Sequence, residues 1–222
     1  ALVQYSRSLE VVRKTGNKIV IANTLNNKAN IYFAMADYEQ ALKIFTESLE
    51  IRKNLSDKNG IASSFLNIGI IHSILGQYEI AMTFFENSQE IREGLNDKVG
   101  LVNVLTNMGK LSLRMQRFDT ALSHLKSAFK IQMELDPFHS QVQEIQIRIH
   151  LAEKKLGNEP ELSESEKLIT TLTDPDAELQ FDVFQLTGEN KYLKVAYELL
   201  MEQTEQLNLS LKKKFADYVR AW

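Results

Sequence analysis

Three asparagines, Asn27, Asn67 and Asn107, recur at one interval of 40 residues. A primary amide can donate to a carbonyl and accept from an N–H at once, the two groups that a peptide backbone offers. Asparagine is also a mediocre helix former, because its amide competes for backbone hydrogen bonds. Three in phase therefore point to a shared cause. Two causes fit: contact with the backbone of a bound peptide, or a ladder in which each amide bonds the neighbouring repeat. The residues around them extend the pattern. Asn23, Asn26, Asn27 and Asn30 share one face at helical spacing. One interval on, the same positions carry Ser63, Leu66, Asn67 and Ile70, and a second interval brings Asn103, Thr106, Asn107 and Lys110, with Arg114 a turn further. In order, that face is amide-rich, then apolar, then basic. An extended or helical segment with an apolar anchor and a nearby acidic group would complement it. An ordinary solvated face is the alternative reading of Lys110 and Arg114.

Other chemistry is thinly supported. The histidines, His72, His124, His139 and His150, fall at different registers and make no metal-binding spacing. They read as surface or interhelix residues, and no metal or cofactor is expected. Glu159, Glu161, Glu164 and Glu166, followed by Asp174, Asp176 and Glu178, make one stretch acidic. That run suits a solvated linker and helix starts, or a basic partner. No phosphate-cradling glycine loop and no GxSxG elbow is present, so no catalytic residue is nominated. Lys212-Lys213-Lys214 is too short, and too close to apolar residues, to argue for nucleic acid.

The elements that position the asparagines follow from the same interval. Ala41, Ala81 and Ala121 each close a Tyr/Phe-Glu/Asp-x unit, and a period of about 40 residues is typical of helical solenoids. Ile61, Phe65, Ile68, Ile71 and Leu75 recur at three- and four-residue steps, which predicts a helix over 61–76. A second helix over 77–95 carries Ala81, Phe85, Ser88 and Ile91 on its inner face, matched by Ala41, Phe45, Ser48 and Ile51 and by Ala121, Leu125, Ala128 and Ile131. Ala29, Gly69 and Gly109 share one register on the first helix and are all small, which permits close approach of its partner. Between hairpins, Leu55-Ser56-Asp57-Lys58-Asn59-Gly60 and Leu95-Asn96-Asp97-Lys98-Val99-Gly100 repeat, with an aspartate placed to cap the next helix.

These residues resemble the tetratricopeptide repeat family. The small–large pattern of Gly69, Tyr78, Ala81, Phe85 and Ser88 is similar to its helix A/helix B signature, and the long period with its Asp-Lys-x-Gly link is similar to its long-repeat class, shared by kinesin light chain, LGN-type scaffolds and bacterial signalling proteins. The resemblance implies an all-α fold, a right-handed superhelix of antiparallel helix hairpins whose A helices line a concave groove. It also implies that Asn27, Asn67 and Asn107 grip a peptide backbone there. Departures are His72 and Ser112 in place of the aromatic matched by Tyr32, and Lys28 in place of an apolar residue. Chaperone-binding members hold a carboxylate terminus with paired Asn and Lys/Arg. Here Asn103 and Asn107 stand where that clamp needs cations, so a chaperone-tail clamp is not expected.

The regular array is expected over 1–135, as a half repeat 1–16 and full repeats 17–56, 57–96 and 97–135, followed by divergent hairpins over 136–222. In the divergent part, Val142, Ile145, Ile149, Ala152 and Leu156 read as a helix A, and Ser163-Glu164-Ser165-Glu166 as a capping box. Asp174-Pro175 reads as a helix start, residues 179–186 and 192–207 as a further hairpin, and Leu211, Phe215, Val219 and Trp222 as an amphipathic end. Because Ala1 is in phase with Ala41, the chain opens on half a hairpin, and a fragment of a longer array is expected.

A formal net charge of −3 gives no global pull toward nucleic acid or anionic membrane. Zero cysteines exclude disulfides and thiolate chemistry and suit a cytoplasmic protein. No apolar run has membrane-spanning length. The expectation is a module that binds a peptide or protein segment. A regulatory domain controlling an attached kinase, cyclase or transcription regulator is the second reading, and exposed array ends leave self-association open.

Overall fold

The computed structural model describes residues 2–158, 162–170, 172 and 176–205, and every regular element among them is an α-helix. They form two compact units, residues up to 95 and residues 96–205. The first holds α1 (Leu2–Thr15), α2 (Lys18–Ala34), α3 (Tyr38–Asn54), α4 (Lys58–Ile74) and α5 (Tyr78–Gly94). The second holds α6 (Lys98–Arg114), α7 (Phe118–Leu135), α8 (Ser140–Lys155), α9 (Leu162–Thr170), α10 (Ala177–Thr187) and α11 (Asn190–Glu205).

The joints between helices show how the chain reverses so often with so few glycines. Gly16, Ala36, Ser56, Gly76, Asn96 and Gln116 lie 20 residues apart, and all six adopt positive φ between 52° and 74°. Each ends a helix in the left-handed conformation. At two joints the next residue acts on both sides. Asp37 donates its N–H to Tyr32 O (2.9 Å) and accepts from Gln40 N–H; Asp57 donates to Arg52 O (3.0 Å) and accepts from Gly60 N–H. One aspartate thus satisfies an orphan carbonyl of the finished helix and an orphan N–H of the new one. Asp97 caps α6 through Gly100 N–H in the same way.

In the first unit each helix packs on the next along the chain. Its core joins Leu25 and Ala29 of α2, Ala41, Ile44, Phe45 and Leu49 of α3, and Ile68 and Ile71 of α4. The small residue on helix A is required for this packing. A Cβ at Gly69 would lie 2.6 Å from the Phe85 ring of α5, inside van der Waals contact. The second unit repeats the device, a Cβ at Gly109 falling 2.5 Å from Leu125 of α7. There α7 packs on both α6 and α8, and α10 skips α9 to pack on α8 while pairing with α11. Ile147 and Leu151 of α8 meet Leu179, Val183 and Leu186 of α10 in its second core.

The divergent part departs from expectation in its starts. Asp176, two residues beyond Asp174, caps α10 by accepting from Leu179 N–H at 2.8 Å. A proline at 175 cannot itself supply that acceptor, whereas an aspartate side chain at the last non-helical position can. Asp174-Pro175 and the closing stripe of Leu211, Phe215, Val219 and Trp222 lie outside the described residues. Helix α9 begins at Leu162, which puts Ser163 inside it rather than before it.

Two stability measurements test this scheme. Gly76→Ala should cost about 1 kcal/mol in a denaturant melt, purely through the left-handed backbone, because the added Cβ would meet nothing within 4 Å. Gln116→Gly, at the same type of joint, should instead stabilise by roughly 0.5 kcal/mol. Ala81 is fully buried, and Ala81→Leu should overpack its hairpin and cost roughly 1–3 kcal/mol; a neutral melt would contradict this packing.

Candidate peptide-binding face

In the first unit, the asparagine-bearing face runs along α2 and α4. Asn27 and Asn30 are exposed, and Asn26, Ser63, Leu66, Asn67 and Ile70 are half-buried. Asn67 Nδ2 donates to Asn26 Oδ1 at 3.4 Å. That bond joins two neighbouring A helices, as the ladder reading requires, and its length marks it as weak. Asn23 has a different partner: Arg52 of α3 donates to its Oδ1 at 3.0 Å.

Arg52 belongs to a buried network that the face rests on. Ser48 donates to Ala22 O at 2.9 Å, linking α3 to α2, and Arg52 Nε donates to Ser48 Oγ at 3.3 Å. The next repeat copies it. Ser88 donates to Ala62 O at 2.8 Å, Arg92 Nε donates to Ser88 Oγ at 3.3 Å, and Arg92 Nη2 reaches Ser63 Oγ at 3.4 Å. Buried guanidinium groups need such a full set of acceptors. Asn23 and Ser63 are thereby tied to helix B rather than left for a ligand. The signal lay in the sequence as Ser48-x3-Arg52 and Ser88-x3-Arg92, one interval apart; the serines were read only as small residues.

In the second unit the corresponding face is that of α6, and its asparagines and cations meet partners from within the unit. The helix B positions of the network carry Ala128 and Gln132 instead, and Gln132 Nε2 donates to Asp136 O at 3.2 Å. Asn103 Oδ1 accepts from Gln141 of α8 at 3.2 Å. Asn107 Nδ2 donates to Asn103 O in its own helix at 2.8 Å. Thr106 is buried.

Further along α6, Lys110 and Arg114 hold Glu178 of α10. Lys110 Nζ bonds Glu178 Oε2, and Arg114 Nη2 bonds Glu178 Oε1 at 2.7 Å. One turn on, Asp182 pairs with Arg148 of α8 at 2.9 Å, and Arg148 is 1% exposed. Burial alone would raise the Glu178 carboxyl, but Lys110, Arg114 and Arg148 outweigh it and hold the carboxyl down at about 2. Asp182 is pushed up by burial and by the neighbouring Glu178 charge, against the pull of Arg148. The residue read as part of a solvated acidic run is therefore the centre of a packed charge cluster.

The remaining nominated chemistry is scattered. His150 is buried and its Nδ1 lies 2.8 Å from Ser165 Oγ, joining α8 to α9. His72 stacks on Phe84 with ring centroids 5.4 Å apart. Among the described residues no group of three His, Asp or Glu is placed to hold a metal ion, and no helix is long and apolar enough to cross a membrane.

Antiparallel hairpins with small residues at their crossings and a joint every 20 residues define a helical-repeat protein. The family model for the tetratricopeptide repeat matches residues 1–54 and 60–134. The chain belongs to the tetratricopeptide repeat family. No curated protein matches it in sequence. Among solved structures, BtubC (BKLC) from P. vanneervenii is similar in fold, with a TM-score of 0.68 at 14% identity, covering 100% of this chain and 91% of its own. A Rap protein complexed with competence and sporulation factor gives 0.68 at 16% identity, covering 99% of this chain and 67% of its own. The Rap conjugation gene regulator of plasmid pLS20, in complex with the Phr* peptide, gives 0.61 at 14% identity, covering 98% and 57%.

The charge cluster predicts a pH dependence. A carboxyl held below its unfolded value contributes stability that is present above the unfolded pKa and lost as pH falls toward the folded one. Glu178→Gln should therefore be roughly 1 kcal/mol less stable than wild type near pH 7. Most of that difference should vanish between about pH 4.3, the unfolded glutamate value, and about pH 2. Urea melts across that range measure it, and a pH-independent difference would contradict the assignment.

Proposed function

We propose that this chain is a binding module which holds a peptide or protein segment along its A helices. The observation that carries the proposal is the face of α2 and α4, where the exposed amides of Asn27 and Asn30 accompany the half-buried Leu66, Asn67 and Ile70. The apolar pair supplies an anchor for a partner side chain, and the amides supply backbone recognition. The Asn26–Asn67 bond, at 3.4 Å, can be exchanged for a ligand's backbone groups with little loss, since its length makes it weak. Asn23, Asn26 and Ser63 complete the proposed contact set on α2 and α4, and Asn103, Asn107, Lys110 and Arg114 form the corresponding face of α6 in the second unit. Two of the structural neighbours are complexes, one of a Rap protein with competence and sporulation factor and one of a Rap regulator with the Phr* peptide, and YrrB is described as a tetratricopeptide repeat protein with an unusual peptide-binding site. The chain acts by binding rather than by turnover, in the cytoplasm, with neither nucleic acid nor membrane as its partner.

The test is a selection of displayed peptides on the wild-type chain, followed by fluorescence-anisotropy titration. Asn27→Ala and Asn67→Ala should each weaken the selected peptide about five-fold, the loss of one hydrogen bond of about 1 kcal/mol. Helicity and melting should stay unchanged. Affinity that survives both substitutions rejects the assignment.

A further inference from the structure

Glu178 is gripped with one carboxylate oxygen on Lys110 and the other on Arg114, as a partner's acidic side chain would be. We propose that Lys110 and Arg114 form a binding site for an acidic side chain of the partner segment, and that Glu178 is its resident internal occupant, which yields when the partner arrives. This rests on reading the helix A face as the ligand-binding face and names the chemistry of the partner there.

Three observations support it. The pair continues the asparagine line of α6, since Asn103, Asn107, Lys110 and Arg114 follow at steps of four, three and four, which keeps them on one helical face. A segment lying along the amides therefore arrives at the two cations. Second, the site is half-buried rather than sealed. The side chains of Lys110, Arg114 and Glu178 keep 24%, 23% and 21% exposure, against 1% for Arg148 nearby. Third, α10 does not depend on Glu178 to stay in place. Leu179, Val183 and Leu186 bury themselves against Ile147 and Leu151, and Asp182 holds Arg148 at 2.9 Å. Rotation of one side chain in the first turn of α10 breaks the Glu178 contacts with Lys110 and Arg114 while the helix remains docked. The pair also lies beyond Asn103 and Asn107, the positions at which a chaperone-tail clamp would need its cations, so the site is a separate one.

An internal occupant lowers the apparent affinity of an external one in proportion to its own occupancy. If Glu178 fills the site nine-tenths of the time, the partner's acidic group binds about ten-fold more weakly than to an empty site. The full chain can be titrated with N-acetyl-tetraglutamate amide at physiological salt while the backbone amide NMR signals of α6 at positions 107–114 are followed, which every variant retains. Glu178→Gln should reach half-saturation at about ten-fold lower peptide than wild type, and the triple variant Glu178→Gln, Lys110→Gln, Arg114→Gln should show no titration. Glu178→Asp, which keeps the charge but shortens the reach, should fall between, and serves if the glutamine variant does not fold. Equal titration of wild type, Glu178→Gln and Glu178→Asp overturns the proposal. If that occurs while Asn27→Ala and Asn67→Ala still weaken the selected peptides, only this inference fails; loss of those effects with the Glu178→Gln gain intact would instead remove the broader reading.

Discussion

A β-carbon at residue 69 would stand 2.6 Å from the Phe85 ring, and one at residue 109 would stand 2.5 Å from Leu125. In these two hairpins the helices cross at a distance set by the absence of a side chain, and the large residue of helix B fills the space so released; in the hairpin of α2 and α3 the same register carries Ala29, which is fully buried. Everything built on the hairpin inherits that distance. Ser48 reaches Ala22 O and Ser88 reaches Ala62 O across such crossings, with only a methyl or no side chain at the small position of helix A. Glycine inside a helix costs about 1 kcal/mol relative to alanine, and the interdigitation it permits offsets that cost.

From that crossing follow two ways of finishing the helix B end. In the first unit a buried arginine leans on the serine and reaches across to helix A, to Asn23 in one repeat and Ser63 in the next. Glycine at 60 is part of this arrangement, since a Cβ there would collide with the Arg52 guanidinium and the Asp57 carboxylate. In the second unit Ala128 and Gln132 take the place of serine and arginine, and Gln132 turns to the end of its own helix. With no arginine to occupy it, Asn103 accepts from Gln141 instead. The charge that the helix B network lacks there is found elsewhere, between α6, α8 and α10.

The repeating part of the fold was legible because each position was written several times. Ala41, Ala81 and Ala121, the small residues at 29, 69 and 109, and the aspartates of the links each expose one register, and the helices, crossings and caps follow. The asparagine series was found by the same means, although its partners differ: Asn67 meets Asn26, while Asn107 bonds its own helix. Glu178 was not legible. It occurs once, 64 residues from Arg114, in a stretch whose composition suits a solvated run, and no periodicity connects it to α6. Asp182 and Arg148 are hidden for the same reason. Contacts between unlike elements leave no repeating trace, so the sequence displays the array and conceals what closes over its divergent part.

The left-handed joints also bear on how such a chain can change in length. Because they fall every 20 residues and the links at Ser56-Asp57 and Asn96-Asp97 both pair a left-handed residue with a capping aspartate, these two links can be exchanged without altering their stereochemistry. Removal of residues 57–96 would bring Ser56 directly before Asp97, restoring the sequence of turn, cap and glycine that the links at Asp57 and Asp97 share. A genetic deletion or duplication of one whole period therefore lands on a joint already able to receive it, whereas a length that is not a multiple of the joint spacing would set a capping residue in the middle of a helix. The joint acts as a standard coupling, and repeat number becomes a quantity that recombination can vary while local geometry is conserved.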